Sequence, residues 1–308
     1  MQHEEAKIEH SSEKNTKEHV SEEHAIEGEV AHELETHTGS HEIKHEQTLF
    51  AEPLVHMGSF TLTNSLLNSW LVVLIVIIFS LSLKSKMKEI PRGLQNAMEA
   101  VVDMFMGVFD SVTGDREKSL RFFPLAFSFF VFILISNWMG LLPGVGSIGQ
   151  VVSEHGEYVF IPYFRGGTAD LNTTLALAII GVVVSHIFGV LAIGIWNYLN
   201  KFINIKAFLE IPKKIKKDPT IIFVNPVKAF VGLIEIVGEI AKIASLSFRL
   251  FGNIFAGEVL LASMSAILAF GLPIPFMFLE VIVGLIQALI FTMLILAYLT
   301  MNTSAEEH

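Results

Sequence analysis

Between Met57 and Leu83 the chain carries no Asp, Glu, Lys or Arg, and Leu66–Leu83 is dense in Leu, Val and Ile. An uncharged run of that length spans the ~30 Å hydrocarbon core of a bilayer as a helix. Four more apolar stretches follow, at about 122–142, 171–199, 226–270 and 272–301. With 52% hydrophobic and 17% charged residues, this is the profile of a polytopic membrane protein rather than a soluble enzyme. The expected fold class is all-α, with five membrane-crossing segments, the last two long and tilted, plus an interfacial helix.

The net charge of −10 misleads if spread over the whole chain. Residues 1–50 alone contribute −9, from 13 Glu and 4 Lys, and the remainder is nearly neutral. Eight of the twelve histidines lie in that stretch, with His37, His41 and His45 spaced four apart. So polar a segment buries too little surface to offset its ordering entropy, so residues 1–55 read as a disordered acidic tail. A metal-binding tail is the minority reading of its histidines. No basic footprint for nucleic acid is present, and no GxxxxGK[ST] loop for a nucleotide phosphate. With no cysteine, disulfides and thiolate metal sites are excluded. No cofactor is expected, and no charged n-region precedes an apolar core as in a cleaved signal peptide.

Topology follows from lysine placement. Lys84, Lys86, Lys88 and Arg92 close the first span, and six lysines lie within 201–217, two crossings later. Both clusters read as cytoplasmic, which puts the acidic tail outside and the C-terminus inside. Between them Leu94, Met98, Val101, Val102 and Phe105 form an apolar stripe on an interfacial helix ended by Gly114. Residues 148–164 admit a turn or hairpin. Asp170 opens the third span, either as an N-cap or as a lining group of an entry route. His186 within that span reads as a packing group, as does Asn137 in the second. The stretch 226–270 would be about 67 Å long as one helix, so it is either strongly tilted or broken at Gly252 or Gly257. Gly271-Leu-Pro-Ile-Pro275 forces a turn before the last span.

One charge stands out. Arg249 is the only charged residue from Ile243 to Gly257, and an arginine at bilayer depth costs between about 3 and more than 10 kcal/mol. Helical spacing aligns it with Gly238, Lys242, Ser245, Gly252, Asn253 and Ala256, a small and polar face that admits close approach of another helix. Glu258 lies nine positions on, half a turn around. Glu235, Glu239, Lys242, Arg249 and Asn253 form a polar stripe, and Glu280 and Gln287, seven apart, share a face of the last span. Glu235 and Glu239 either line a channel or pair with Lys242.

The segment SFRLFGNIFAGE at 247–258 resembles the signature of subunit a of rotary F-type ATP synthases. PRGLQN at 91–96, SNWMGLLPG at 136–144, NPV at 225–227 and QALIFTMLILAYL at 287–299 extend the resemblance, in family order, from about residue 60 to the end. The resemblance implies a non-catalytic, proton-translocating subunit of a bacterial inner membrane, with c-ring subunits, peripheral-stalk b subunits and lipid as partners. It implies that Arg249 faces the c-ring carboxylates and separates two half-channels. Protons would enter past Glu258, Glu280 and Asp170, with Asn253 and Gln287 as polar companions, and leave near Glu235 and Glu239. The coupling ion would be H⁺, with Na⁺ as the alternative. In the family, the positions of Glu258 and Glu280 work together, so the two acids are expected as a relay. Two other function classes stay open: a secondary transporter or channel in which Arg249 binds an anionic substrate, and a passive anchor.

Overall fold

The computed structural model describes residues 48–58, 60–142, 144–154, 157–203, 221–268 and 271–304. The acidic tail with His37, His41 and His45, and most of the lysine-rich segment at 201–217, lie outside the described residues. Among the described residues, 151–160 belong to one compact unit and the rest to a second. Of that small unit the described residues belong to the strands β3 (Gly149–Glu154) and β4 (Glu157–Pro162), which pair as the hairpin expected for 148–164.

The main unit is helical. A short antiparallel hairpin, β1 (Pro53–Met57) with β2 (Phe60–Thr63), leads into α1 (Asn64–Lys86). This hairpin was not expected; only Phe60 and Leu62 alternate with polar neighbours, and so brief a pattern is not readable against the adjoining apolar run. Thr63 caps α1, its hydroxyl accepting from Leu66 N at 3.3 Å. Helix α2 (Leu94–Thr113) is the amphipathic element, burying Phe105, Met106 and Phe109. It ends where Gly114 takes the left-handed conformation, φ 68°, and its N–H returns to Asp110 O. Gln95 of the PRGLQN motif binds both the N–H and the carbonyl of Lys88, fixing the turn between α1 and α2.

Helix α3 (Arg116–Met139) begins six residues before the expected span because Asp115 caps it, accepting from Glu117 N at 2.9 Å. The third apolar stretch is two helices rather than one. α4 (Leu171–Ile193) ends at Gly194, whose φ of 84° no other residue type adopts readily, and α5 (Ile195–Ile203) starts in a new direction. The fourth stretch is one continuous helix, α6 (Ile221–Ile267) of 47 residues. At ~1.5 Å per residue it is about 70 Å long, so it crosses a ~30 Å hydrocarbon layer only if strongly inclined. Gly252 and Gly257 do not break it. α7 (Pro273–Thr303) opens on the proline pair of the expected turn.

Among the described residues, five helices are long and apolar enough to cross a membrane: α1, α3, α4, α6 from Phe230, and α7. α7 packs along α3 and α4, and α6 along α4 and α7. Phe105, Phe109, Phe122, Phe129, Phe130 and Phe291 fill the centre with Ile133, Leu250, Ile295 and Leu299. Phe105 meets Phe127 edge-on at 5.3 Å between centroids. Asn137 of the SNWMG segment fulfils its packing role. Its amide donates to Gly284 O at 3.0 Å and accepts from Thr168 Oγ1, while Trp138 Nε1 donates to Val281 O at 3.1 Å. These bonds fasten the end of α3 to α7 one turn from Glu280.

Candidate functional site

Arg249 sits midway along α6, exposed, with only a long 3.4 Å contact from Nη2 to Ser245 Oγ among its hydrogen bonds in the described residues. No carboxylate of the described residues lies within ion-pairing distance of it. Ser245, Asn253 and Ala256 are exposed beside it, and a Cβ built on Gly238 or Gly252 meets nothing within 4 Å. The small, polar face expected from spacing therefore exists, and this chain leaves it uncovered. Behind it, Leu246 and Leu250 are buried against the bundle, which fixes the helix's rotation.

One turn further on, Asn253 Nδ2 donates to Gln287 Oε1 at 2.8 Å, joining α6 to α7. Another turn on, Gly257 lies directly against the Glu280 carboxyl group, and a Cβ on Gly257 would overlap it. Glu280 is buried at 7% exposure, and its Oε1 has no hydrogen-bonding partner among the described residues. Burying a carboxyl oxygen without a partner is costly, and such atoms collect at functional sites. Gln287 is buried as well, with its Nε2 likewise unpartnered. Gly257→Ala should therefore push Glu280 out of place at a cost of about 1–3 kcal/mol, typical of overpacking. Thermal denaturation of the purified assembly measures that loss directly, and an unchanged midpoint would show that the contact is soft.

No hydrogen bond links Glu258 and Glu280 among the described residues. Glu258 faces Arg165 instead, in the segment between β4 and α4. Arg165 Nη2 lies 2.7 Å from Oε2, and Nε lies 3.1 and 3.2 Å from the two oxygens. Arg165 is 5% exposed and also donates to Thr48 O at 2.8 Å and Phe50 O at 3.2 Å. It thus ties the segment 48–50, ahead of β1, to Glu258 of α6. Sequence reasoning passed over Arg165, although one signal was available: it is the sole basic residue between Arg121 and Lys201. Breaking a buried pair by removing one partner costs roughly 3–5 kcal/mol, and partial exposure of Glu258 places Arg165→Ala near the lower figure. In denaturation of the assembly, the Arg165→Ala/Glu258→Ala pair should lose clearly less than the sum of the single losses.

Asp170 is 3% exposed and takes the capping alternative. Its Oδ1 accepts from Asn172 N at 3.1 Å and Ala51 N at 3.2 Å, and its Oδ2 from Thr173 Oγ1 at 2.9 Å. At the other end of the bundle, Glu239 accepts from Lys242 Nζ at 2.7 Å, so the pairing foreseen for Lys242 is present. Glu239 also approaches His186 of α4 at 3.4 Å. Glu235 lies one turn earlier, partly buried. Of the candidates, then, Arg249, Asn253, Gln287 and Glu280 form one continuous band across α6 and α7. Glu258 and Asp170 are tied into its upper rim, and Glu235 and Glu239 lie beyond Lys242.

An exposed arginine and a buried acid, carried on two of five long apolar helices among the described residues, place the chain among polytopic membrane proteins. The comparisons specify which. The family model for the ATP synthase A chain matches residues 66–300. The chain is 31% identical over 246 residues to ATP synthase subunit a of Trichlorobacter lovleyi, with 80% of this chain and 89% of that protein covered. It is 32% identical over 245 residues to ATP synthase subunit a of Syntrophobacter fumaroxidans, covering 78% and 84%. Against ATP synthase subunit a of Moorella thermoacetica identity is 27% over 246 residues, covering 80% and 93%. The chain belongs to the ATP synthase subunit a family and is a membrane-sector subunit of that complex.

Proposed function

We propose that this subunit conducts protons between two offset half-channels and the carboxylates of a c-ring, with Arg249 as the fixed charge between them. The observation that carries this reading is the uncovered face of α6: an arginine without a carboxylate partner among the described residues, flanked by Ser245, Asn253, Gly252 and Ala256. Retaining that charge at depth is explained if a carboxylate from another subunit passes it. The positive charge favours the ionised form of that carboxylate, so its proton departs. It also opposes direct passage of a cation from one half-channel to the other.

On the outer side, Glu280 is the proton-exchanging group, and the Asn253–Gln287 bond carries the polar band from it to the arginine. Glu258, held by Arg165, and Asp170, capping α4, shape the entrance. On the inner side protons leave past Glu239 and Glu235 towards the lysine-rich end. The acidic N-terminus lies outside and the C-terminus inside, in a bacterial inner membrane, and peripheral-stalk b subunits hold the chain against the turning ring. A potential of 100 mV supplies about 2.3 kcal/mol for each charge moved.

Detergent extraction followed by vesicle reconstitution tests the whole reading. The chain should co-purify with a c-ring, and ATP should acidify the vesicles equally with and without added Na⁺. A chain that purifies alone and remains competent in transport would be a secondary transporter. Acidification that fails, with Na⁺ uptake in its place, would reassign the coupling ion.

A further inference from the structure

The break at Gly194 builds a second cluster. In an uninterrupted helix, His186 and Tyr198 would stand twelve residues apart, about 18 Å along the axis. Because α5 turns away from α4 at Gly194, the Tyr198 hydroxyl reaches His186 Nδ1 at 2.5 Å. On its other side, His186 Nε2 lies 3.4 Å from Glu239 Oε2 of α6. Glu239 Oε1 accepts from Lys242, whose ammonium stands 5.0 Å from the centre of the Tyr298 ring of α7. Two helices, α5 and α6, thus direct ionisable side chains at one imidazole of α4, and Lys242 stands behind Glu239. That ring keeps about a quarter of its surface exposed, whereas Tyr198 and Glu239 are buried.

We propose that His186 is the proton-exchange residue of the inner half-channel, the group through which protons pass between the Arg249 region and the lysine-rich end. This rests on the proton-path reading above and specifies its inner exit. Glu239 lies ten residues before Arg249 on the same helix, about 15 Å away, and both its oxygens already face a base, Lys242 at one and His186 at the other. Phenols ordinarily titrate near pH 10 and ammonium groups above that. Imidazole is the side chain whose ordinary titration falls between about pH 5 and 8, which suits a site that must take up and release a proton at every step of the ring.

The step is simple. In the resting neutral ring the Tyr198 hydroxyl donates to Nδ1, while Nε2 stands 3.4 Å from Glu239 Oε2 without a hydrogen bond formed to it. A proton given up by a c-ring carboxylate and carried by water forms an N–H bond at Nδ1, and the Tyr198 oxygen changes from donor to acceptor. That N–H bond then breaks, the proton passes to water at the lysine-rich end, and the ring is neutral again. One proton enters, one leaves, and no electrons are exchanged. Glu239 balances the imidazolium, and Lys242 holds Glu239 in place.

The test uses inverted membrane vesicles carrying the full complex, in which the inner face is outside and its pH can be set. ATP-driven acidification is followed as external pH is raised through the imidazole range, with the amount of assembled complex measured alongside. His186→Gln should assemble normally and pump about tenfold or more slowly, in line with loss of a positioned proton carrier. Its rate should also begin to fall at lower external pH than the wild type, because the remaining acceptors are carboxylates. Tyr198→Phe, which removes only the hydroxyl, should move the same limb in the same direction by less. A wild-type rate and pH profile in His186→Gln would overturn the assignment, and so would a slower rate with an unshifted profile, which is what a packing role predicts. If His186→Gln does not assemble, an unshifted profile in Tyr198→Phe would overturn it. Arg249→Ala measured in the same vesicles separates the two levels: pumping there would remove the underlying path, whereas its loss together with a normal His186→Gln removes only this exit.

Discussion

Arg249→Ala should abolish ATP-driven proton pumping while leaving the complex assembled. Assembly should survive because Arg249 makes no ion pair and only one long hydrogen bond among the described residues, and α6 is anchored instead by the buried Leu246, Leu250 and Ile254. Pumping should not survive, because a charge already in place where a carboxylate must ionise typically contributes about 100- to 1000-fold in rate. Removing it also deletes the electrostatic barrier between the half-channels, so vesicles with the variant should leak protons that wild-type vesicles retain. Arg249→Lys should recover little. A lysine is a compact, strongly hydrated charge that loses its proton readily when buried, whereas the guanidinium stays charged in nearly any setting. Quenching of a pH-sensitive dye in ATP-energised vesicles reads all three variants.

Glu280→Gln should give the second-largest loss. The substitution keeps the shape that fills the hollow against Gly257 and replaces a proton-exchanging oxygen with an amide, so the fold should hold. A positioned acid–base group contributes about 100- to 10,000-fold to proton transfer, and the loss should fall within that range for both ATP synthesis and ATP-driven pumping. Glu258→Gln, by contrast, should reduce thermal stability more than rate, because its carboxylate is occupied by Arg165. If Glu258→Gln proved the more damaging for transport, the entrance would have to be redrawn with the Arg165 pair as the carrier. Rates and denaturation midpoints measured on the same preparations would decide between the two acids.

The contrast between these acids shows how far a sequence reaches. Arg249 and its small, polar face were legible because they depend only on helical periodicity along one uninterrupted element. The same holds for the amphipathic stripe of α2 and its Gly114 stop. Asn253 and Gln287 were legible only as polar positions, each on its own helix; the bond between them depends on how the two helices rotate and offset, and so does the pairing of Glu258 with Arg165. The Arg165 clamp joins residues more than ninety positions apart, through a loop with no periodicity to read. His186 looked like a packing group because a single helix over 171–199 would carry Tyr198 far from it. Only the turn at Gly194, one glycine among 22, brings them together.

The central claim is that the Arg249 face of α6 meets the c-ring, and single-cysteine cross-linking tests it most directly. The chain has no cysteine of its own, so each introduced thiol reports from one position. Ser245→Cys and Ala256→Cys lie on the uncovered face to either side of Arg249, and Ser247→Cys, 1% exposed, points into the bundle. Each is paired with a cysteine placed one turn from the c-subunit carboxylate and oxidised in membranes. Disulfides to the c subunit from positions 245 and 256, and none from 247, are the predicted result. No cross-link from either exposed position, or an equal one from 247, would contradict the account.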